Sequence, residues 1–384
     1  MKTIESTNER IESLDIIRGF ALFGVLLVNL TMIDETLFSH QSSPFVYENL
    51  FERFFALLLH VFATGKFYSL FAILFGMGAI LFMKKFEVER DGHVFFRRRL
   101  LTLLILGVCH LIFIWYGDIL HVYAIAGFLM LSKRHLDAKR LLTWSLITFL
   151  LSTVLFSLLT SGTTVSPEIN AVIENSIQMY KQSRYLELVS YRVTWEIPMI
   201  LINLVIVLPK ILSLFFLGAA LGKLDVFQNT VKMRGYISKT FKATLVASIL
   251  FACGYMLFSS GLIGSRMNSL SIVFDELLTV SGSILYASAI LVLSRNETFL
   301  KRIRPLASVG RMALSNYLAQ TVFFTTLLYG YGGGLFHQLP FWSYLPIAFA
   351  FFMLQMGFSA LWLKKFKQGP VEFLWRKFTY RQTR

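Results

Sequence analysis

Apolar residues arrive along this chain in blocks of about 18 to 25, separated by short polar stretches. About 20 helical residues, rising 1.5 Å each, cross the roughly 30 Å hydrocarbon layer of a bilayer, so the blocks read as membrane spans. The pattern predicts about ten of them, over 16–33, 66–83, 97–115, 118–131, 141–160, 196–221, 243–261, 271–294, 306–329 and 342–363. The fold class is therefore all-α, a polytopic integral membrane protein. The fourth span is short and is expected to tilt differently or to be partly re-entrant. The stretch 51–83 is apolar for 33 residues, on the order of 50 Å of helix and too long for one crossing. Gly65 and Lys66 offer a break there, leaving an interfacial or re-entrant segment that contains His60. Inside the first block, Asp15, Arg18, Leu22, Val25 and Asn29 fall at helical spacing on one face. A charge pair at the mouth of a span is costly unless it is paired or faces a protein interior, so this helix reads as belonging to a site.

Composition agrees with the pattern. The 384 residues are 55% hydrophobic and 15% aromatic, with mean hydropathy +0.62. The formal charge of +15 does not indicate nucleic acid, because the basic residues sit in short clusters between apolar blocks and not in one aromatic-interleaved patch. Membrane lipids are the expected partners. With the N-terminus placed in the cytoplasm, 29 of the 37 Lys and Arg fall in alternate segments: 1–18, 84–99, 132–140, 222–242, 295–304 and 364–384. The intervening loops 34–50, 116–117 and 331–341 hold none, which predicts both termini on the cytoplasmic side. The start of the chain does not read as a cleaved signal peptide, since Glu5, Glu9, Glu12 and Asp15 precede the first block. One integrated membrane domain, 1–384, is expected, with an N-terminal region over 1–160, an outer amphipathic connection over 161–195 and a C-terminal region over 196–384. Cys109 and Cys253 both lie inside predicted spans and imply neither a disulfide nor a metal site.

Candidate chemistry concentrates in four places. The third and fourth spans carry Arg97, Arg98 and Arg99 at one end, then His110, Asp118 and His121 toward the other. His110, oriented by Asp118, is the candidate base, and Asp118 with His121 at i, i+3 supplies a second pairing. The competing account is that these histidines only hydrogen-bond neighbouring helices. His40, His60, His110, His121 and His337 map to the outer half, and only His93 and His135 to cytoplasmic loops. No HxxxH or HxxE spacing supports a metal site. Lys66 near the outer interface either snorkels to lipid headgroups or binds a ligand. Arg311 lies about one turn into the ninth span and calls for an anion, supplied by Asp15 or by a ligand phosphate, with Arg18 as a second phosphate contact. Asn29 and Asn316 complete the ligand-binding candidates, although Asn316 and Gln320 equally suit helix-to-helix bonding. Pro198, Pro209 and Lys210 kink and charge the sixth span, and Gly330 with Gly332, Gly333 and Gly334 reads as a flexible outer loop.

Six segments, in order, resemble the YeiB-like family of bacterial membrane proteins. They are Leu14-Asp-Ile-Ile-Arg-Gly through Asn29, Gly65-Lys-Phe-Tyr-Ser-Leu-Phe71, Phe75-Gly-Met-Gly78, Gly107-Val-Cys-His110 with Gly117-Asp-Ile-Leu120, Gly310-Arg-Met-Ala-Leu-Ser-Asn-Tyr317 and Gly369-Pro-Val-Glu-Phe-Leu-Trp-Arg376. The resemblance runs nearly end to end and implies a multi-pass protein of the bacterial plasma membrane; that family has no assigned function. The Asp-x-x-Arg-Gly entry to the first helix is also similar to membrane acyltransferases such as heparan-alpha-glucosaminide N-acetyltransferase, which implies an acyl-coenzyme A co-substrate in the cytoplasm and a glycan, lipid or small-molecule acceptor across the membrane. The expected function is acyl transfer to an extracytoplasmic hydroxyl or amine, with no permanently bound cofactor. A transporter of a small anionic or lipid-like molecule, using Lys66, Lys210 and Arg311 as contacts and Asp118 as proton carrier, is the alternative. The orientation has a direct test: alkaline phosphatase fused after Gly333 should be active and fused after Lys301 inactive, and the reverse result overturns the topology.

Overall fold

The computed structural model describes residues 12–39, 49–86, 92–160, 167–226, 232–261 and 269–380, and every regular element among them is helical. His40 lies outside the described residues. Seven described segments are long and apolar enough to cross a membrane by length and composition. They include α1 (Glu12–Ile33), α3 (Lys66–Lys85), α6 (Ala138–Thr160), α9 (Ile197–Lys223), α10 (Arg234–Ser259), α11 (Ser269–Leu293) and α15 (Tyr344–Lys365). The other predicted spans fall on α4 (Gly92–Phe113), on the 13-residue α5 (Leu120–Ser132) and, after the short α12 (Glu297–Ile303), on a broken pair, α13 (Leu306–Arg311) and α14 (Ala313–Leu328). Thirteen residues make about 20 Å of helix, so α5 is too short to cross on its own.

The break expected near Gly65 is present. The helix α2 (Leu50–Phe62) ends there, Gly65 takes φ +83, and α3 starts at Lys66. That left-handed turn suits glycine and lets the chain reverse between the two helices. The ends of α3, α4 and α15 that carry Lys84, Lys85, Arg97, Lys364 and Lys365 define a basic face. The other ends define the opposite face.

Helices cross closely where small residues allow it. A Cβ on Gly76 of α3 would stand 2.1 Å from the carbonyl oxygen of Phe215, and one on Gly218 of α9 would stand 2.0 Å from that of Ile73. The two backbones are thus in contact, as small-residue membrane interfaces permit. α1 meets α13 in the same manner, through Gly19 against Leu306 and Gly310 against Asp15. The sequence pattern expected one helix over 306–329, but Met312 (φ −116, ψ 31) interrupts it. The amides freed at the start of α14 donate to Glu372 of α16 (Pro370–Thr379), from Leu314 at 2.8 Å and Ser315 at 3.1 Å. A carboxylate suits the positive end of a helix, so the break is compensated from the far end of the chain.

The connection read as an amphipathic outer segment folds into α7 (Pro167–Gln182) and α8 (Tyr185–Tyr191), which cap the opposite face. Tyr180 is fully buried and its hydroxyl donates to Glu196 at 2.8 Å, while Arg192 donates to the carbonyl of Ile112 at 2.9 Å. The glycines at 330–334 are held, contrary to the flexible loop expected. Gly330 N–H donates to the Tyr180 carbonyl at 2.9 Å, and a Cβ there would come within 2.2 Å of the Lys181 carbonyl oxygen. Close backbone approach, more than flexibility, accounts for that glycine.

Asp34 closes α1 at this face. It is 3% exposed, accepts from the His337 N–H at 2.7 Å, and accepts from the Tyr344 hydroxyl. Burial pushes its carboxyl up to about 6 from 3.8. A raised carboxyl pKa contributes stability that is complete below the unfolded value and is lost as pH rises through about 6. Wild-type melting temperature in detergent should therefore fall between pH ~4 and pH ~7 by an increment that Asp34→Asn abolishes, the amide preserving both hydrogen bonds without titrating. An identical pH profile for the variant would refute this assignment.

Candidate functional site

The polar stripe of α1 faces inward. Asp15, Arg18, Leu22, Val25 and Asn29 all line one cavity of about 1240 Å³. The spacing that put them on one helical face thus forms a continuous wall, about 21 Å long at 1.5 Å per residue. Toward the basic face the lining includes Arg18, Lys85, Arg99, Arg311 and Arg376, five cations against the carboxylates of Asp15 and Glu372. Toward the opposite face it includes Tyr116, Asp118 and His121. Between them lie Leu22, Val25, Phe71, Phe75 and Leu103.

At the basic end, Arg18 stands 3.2 Å from Asp15. Arg99 of α4 stacks on Trp375 of α16, its guanidinium 3.9 Å from the ring centroid, and Trp375 Nε1 donates to the Arg99 carbonyl at 2.8 Å. Cation–π stacking holds a guanidinium without consuming its charge or its N–H donors. Arg311 donates to the Lys367 carbonyl at 3.2 Å, and its buried Nε has no hydrogen-bond partner among the described residues. Glu372 is engaged by the start of α14. The net effect is an anion-attracting vestibule bounded by α1, α4, α13 and α16.

At the far end, Asp118 sits in the turn between α4 and α5. Its Oδ2 accepts from the His121 backbone N–H at 2.9 Å and lies 2.6 Å from His121 Nδ1. Its Oδ1 lies 3.0 Å from His110 Nδ1. Gly107 makes this possible: a Cβ there would stand 2.3 Å from the His121 nitrogen, so only glycine lets α4 approach the start of α5. The two histidines differ. His110 is 1% exposed, its Nε2 is 2.7 Å from Thr321 Oγ1, and it does not line the cavity. His121 does line the cavity, and its Nε2 has no hydrogen-bond partner among the described residues. A carboxylate on Nδ1 and an unpartnered Nε2 is the arrangement a general base needs, and of the two histidines His121 is the one that combines it with a place on the cavity wall. His110 instead ties Asp118 to α14. Tyr317 also lines the cavity beside them, its ring 5.4 Å from that of His110 and its hydroxyl without a hydrogen-bond partner among the described residues.

Of the residues predicted from sequence, Asp15, Arg18, Asn29, Asp118 and Arg311 meet at this cavity. Lys66 and Asn316 do not line it. Lys66 is 1% exposed and donates to the His60 carbonyl at 2.8 Å, so it neither snorkels nor reaches the chamber directly. Asn316 donates to Ser359 Oγ at 2.9 Å and receives Gln355 on its carbonyl at 3.1 Å, the helix-bonding role. The sequence reading missed Tyr317, the Arg99–Trp375 stack, and Asp275 with Glu276. Two adjacent carboxylates inside the apolar block 271–294 were a signal that could have exposed the last pair.

An all-helical bundle with segments long and apolar enough to cross a membrane, packed around a charged internal cavity, is a polytopic membrane protein. The chain belongs to the DUF418 family, whose model, described as "Protein of unknown function (DUF418)", matches residues 221–382. It is 30% identical over 405 aligned residues to the uncharacterized protein YxaH of Bacillus subtilis (strain 168), covering 97% of this chain and 95% of that one. It is 27% identical to the uncharacterized protein YeiB of Escherichia coli (strain K12), covering 97% of each. No solved structure matches.

Asp118→Ala would strip His121 of partners on both Nδ1 and its backbone N–H. At about 1–3 kcal/mol for each buried group left unsatisfied, it should lower the melting temperature in detergent far more than His110→Gln does. Equal melting temperatures for wild type and Asp118→Ala would show that the carboxylate does not hold this corner together.

Proposed function

We propose that this protein is a membrane-embedded acyltransferase that takes an acyl group from acyl-coenzyme A at the basic face, read as cytoplasmic, and delivers it to an acceptor at the His121 end. The observation that carries the reading is the single cavity with a cationic vestibule at one end and a His–carboxylate pair with an unpartnered Nε2 at the other. Arg18, Arg99, Arg311 and Arg376 would hold the phosphates, for which guanidinium forks are suited. The pantetheine arm and thioester would extend past Leu22, Phe71 and Phe75 into the chamber.

There His121 Nε2 takes the proton from the acceptor's hydroxyl or amine as its oxygen or nitrogen attacks the thioester carbonyl. Asp118 fixes the tautomer and stabilises the imidazolium. The Tyr317 hydroxyl donates to the carbonyl oxygen as it gains charge. The C–S bond then breaks, the imidazolium returns its proton to the thiolate, and coenzyme A and the acylated acceptor leave. A cavity bordered by both faces also suits transport of a small anion, the second reading.

The test is coenzyme A release from acetyl-coenzyme A by protein in lipid nanodiscs. His121→Gln should reduce turnover about 10²–10⁴-fold, while Arg99→Gln and Arg311→Gln should raise the acyl-coenzyme A KM. Absence of both acyl-coenzyme A binding and turnover, alongside anion uptake into proteoliposomes, would replace acyl transfer with transport.

A further inference from the structure

The far chamber has a second wall that the acyl-transfer scheme leaves unused. Asp275 and Glu276 of α11 and Lys210 of α9 line the cavity there, with Tyr68 of α3. Lys210 Nζ lies 2.6 Å from Glu276 Oε1 and 5.6 Å from the centroid of the Tyr68 ring. Asp275 Oδ1 lies 3.0 Å from Nε2 of His60, which is itself stacked on Tyr255 at 4.3 Å. Two neighbouring carboxylates within an apolar helix are expensive, and the protein partners do not use them up. Glu276 is only 5% exposed, yet its Oε2 has no hydrogen-bond partner among the described residues, and the Asp275 side chain is 33% open although it sits within the bundle. A buried carboxylate oxygen without a donor costs free energy that an incoming N–H or O–H would recover.

The sign of the chamber narrows the donor. Its lining carries Asp118, Asp275 and Glu276 against Lys210, with Lys66 buried behind it on the His60 carbonyl, so carboxylates still outnumber lysines, while the vestibule carries an excess of cations. The cavity is therefore polarised, positive where a phosphate would enter and negative where the acceptor would sit. Anionic head groups are disfavoured at that end and cationic ones favoured. A primary ammonium brings three donors, enough for Glu276 Oε2 and the open face of Asp275. It also brings a proton that must leave before the nitrogen can attack, and the His121 base lines the same cavity.

We propose that Asp275 and Glu276 form the acceptor subsite and that the acceptor is a primary amine, bound as its ammonium form. This deepens the acyl-transfer reading, on which it rests, by choosing amine over hydroxyl. The ammonium gives one proton to the Asp275–Glu276 carboxylates, which release it to solvent, and the free amine gives a second to His121 as the N–C bond forms; the C–S bond breaks, the imidazolium protonates the thiolate, and an amide and coenzyme A result. Phe156, Ile206 and Val207 also line the cavity. An apolar tail would pack against them if the amine is borne by a membrane amphiphile, whereas a free amine would leave them uncovered.

The probes are n-decylamine, n-decanol, n-decyl sulfate and ethanolamine, titrated calorimetrically into the full-length protein in nanodiscs without any acyl donor. Decylamine should bind at least about tenfold tighter than decanol, and decyl sulfate should not compete for the site. Decylamine binding far better than ethanolamine assigns the amine to a membrane amphiphile, and equal binding assigns it to a soluble amine. Asp275→Asn should erase the amine-over-alcohol preference. So should the double variant Lys210→Met with Glu276→Gln, which leaves no buried lysine unpaired. A merely structural role would weaken amine and alcohol alike. Equal affinities for amine and alcohol in the wild type, or a preference surviving in both variants, overturns the proposal. Amine binding without acetyl-coenzyme A turnover would leave the subsite standing and remove the acyl-transfer reading.

Discussion

Charge inside an apolar bundle must be partnered or must face a polar space, and that constraint organises this molecule from end to end. Asp118 is held by two histidines and a backbone amide. Glu372 is held by the start of a broken helix, Arg192 by a carbonyl and by Glu196, and Lys210 by Glu276. The ties of Glu372 to Leu314, Arg192 to Ile112 and Lys210 to Glu276 join elements far apart in the chain, so there polar satisfaction and tertiary structure are the same requirement. The cavity is where such charges gather, chiefly arginines at one end and carboxylates at the other.

The frame that keeps the cavity open is built from close backbone crossings. α3 against α9 and α1 against α13 meet glycine to carbonyl, which leaves their larger side chains to point elsewhere. Gly107 does the same at the site itself, setting the distance at which His121 can share Asp118 with His110. Because closely packed helices have little freedom to slide, His121, Asp118 and the Tyr317 hydroxyl are held in fixed positions relative to one another. The break at Met312 serves the same geometry: it turns the helix so that Arg311 borders the vestibule while Tyr317 borders the chamber.

Much of this was legible in the chain. The span pattern, the interruption at Gly65, and the stripe from Asp15 to Asn29 all follow from hydrophobicity and the 3.6-residue period, which are local properties. The stripe proved to be a cavity wall along its whole length. What resisted reading were residues whose role depends on a partner in another helix. His110 and His121 look equivalent in sequence, and Thr321, 211 positions beyond His110, is what engages one of them. Lys66 and Asn316 looked like ligand contacts because a polar residue in an apolar block advertises only that it needs something, not whether a helix or a ligand supplies it.

The sequence by itself determined that the chain is a helical membrane protein, where its long apolar helices run, and that the first helix carries a polar face that must be partnered. Those follow from the free energy of placing each residue in hydrocarbon or water, a sum over neighbours in the chain. Only the tertiary structure decided that the stripe, Arg99, Tyr317, Asp275 and Glu276 share one cavity, and that His121 and not His110 borders it. Those depend on which buried group meets which partner across helices, and such pairing energies belong to no single stretch of sequence.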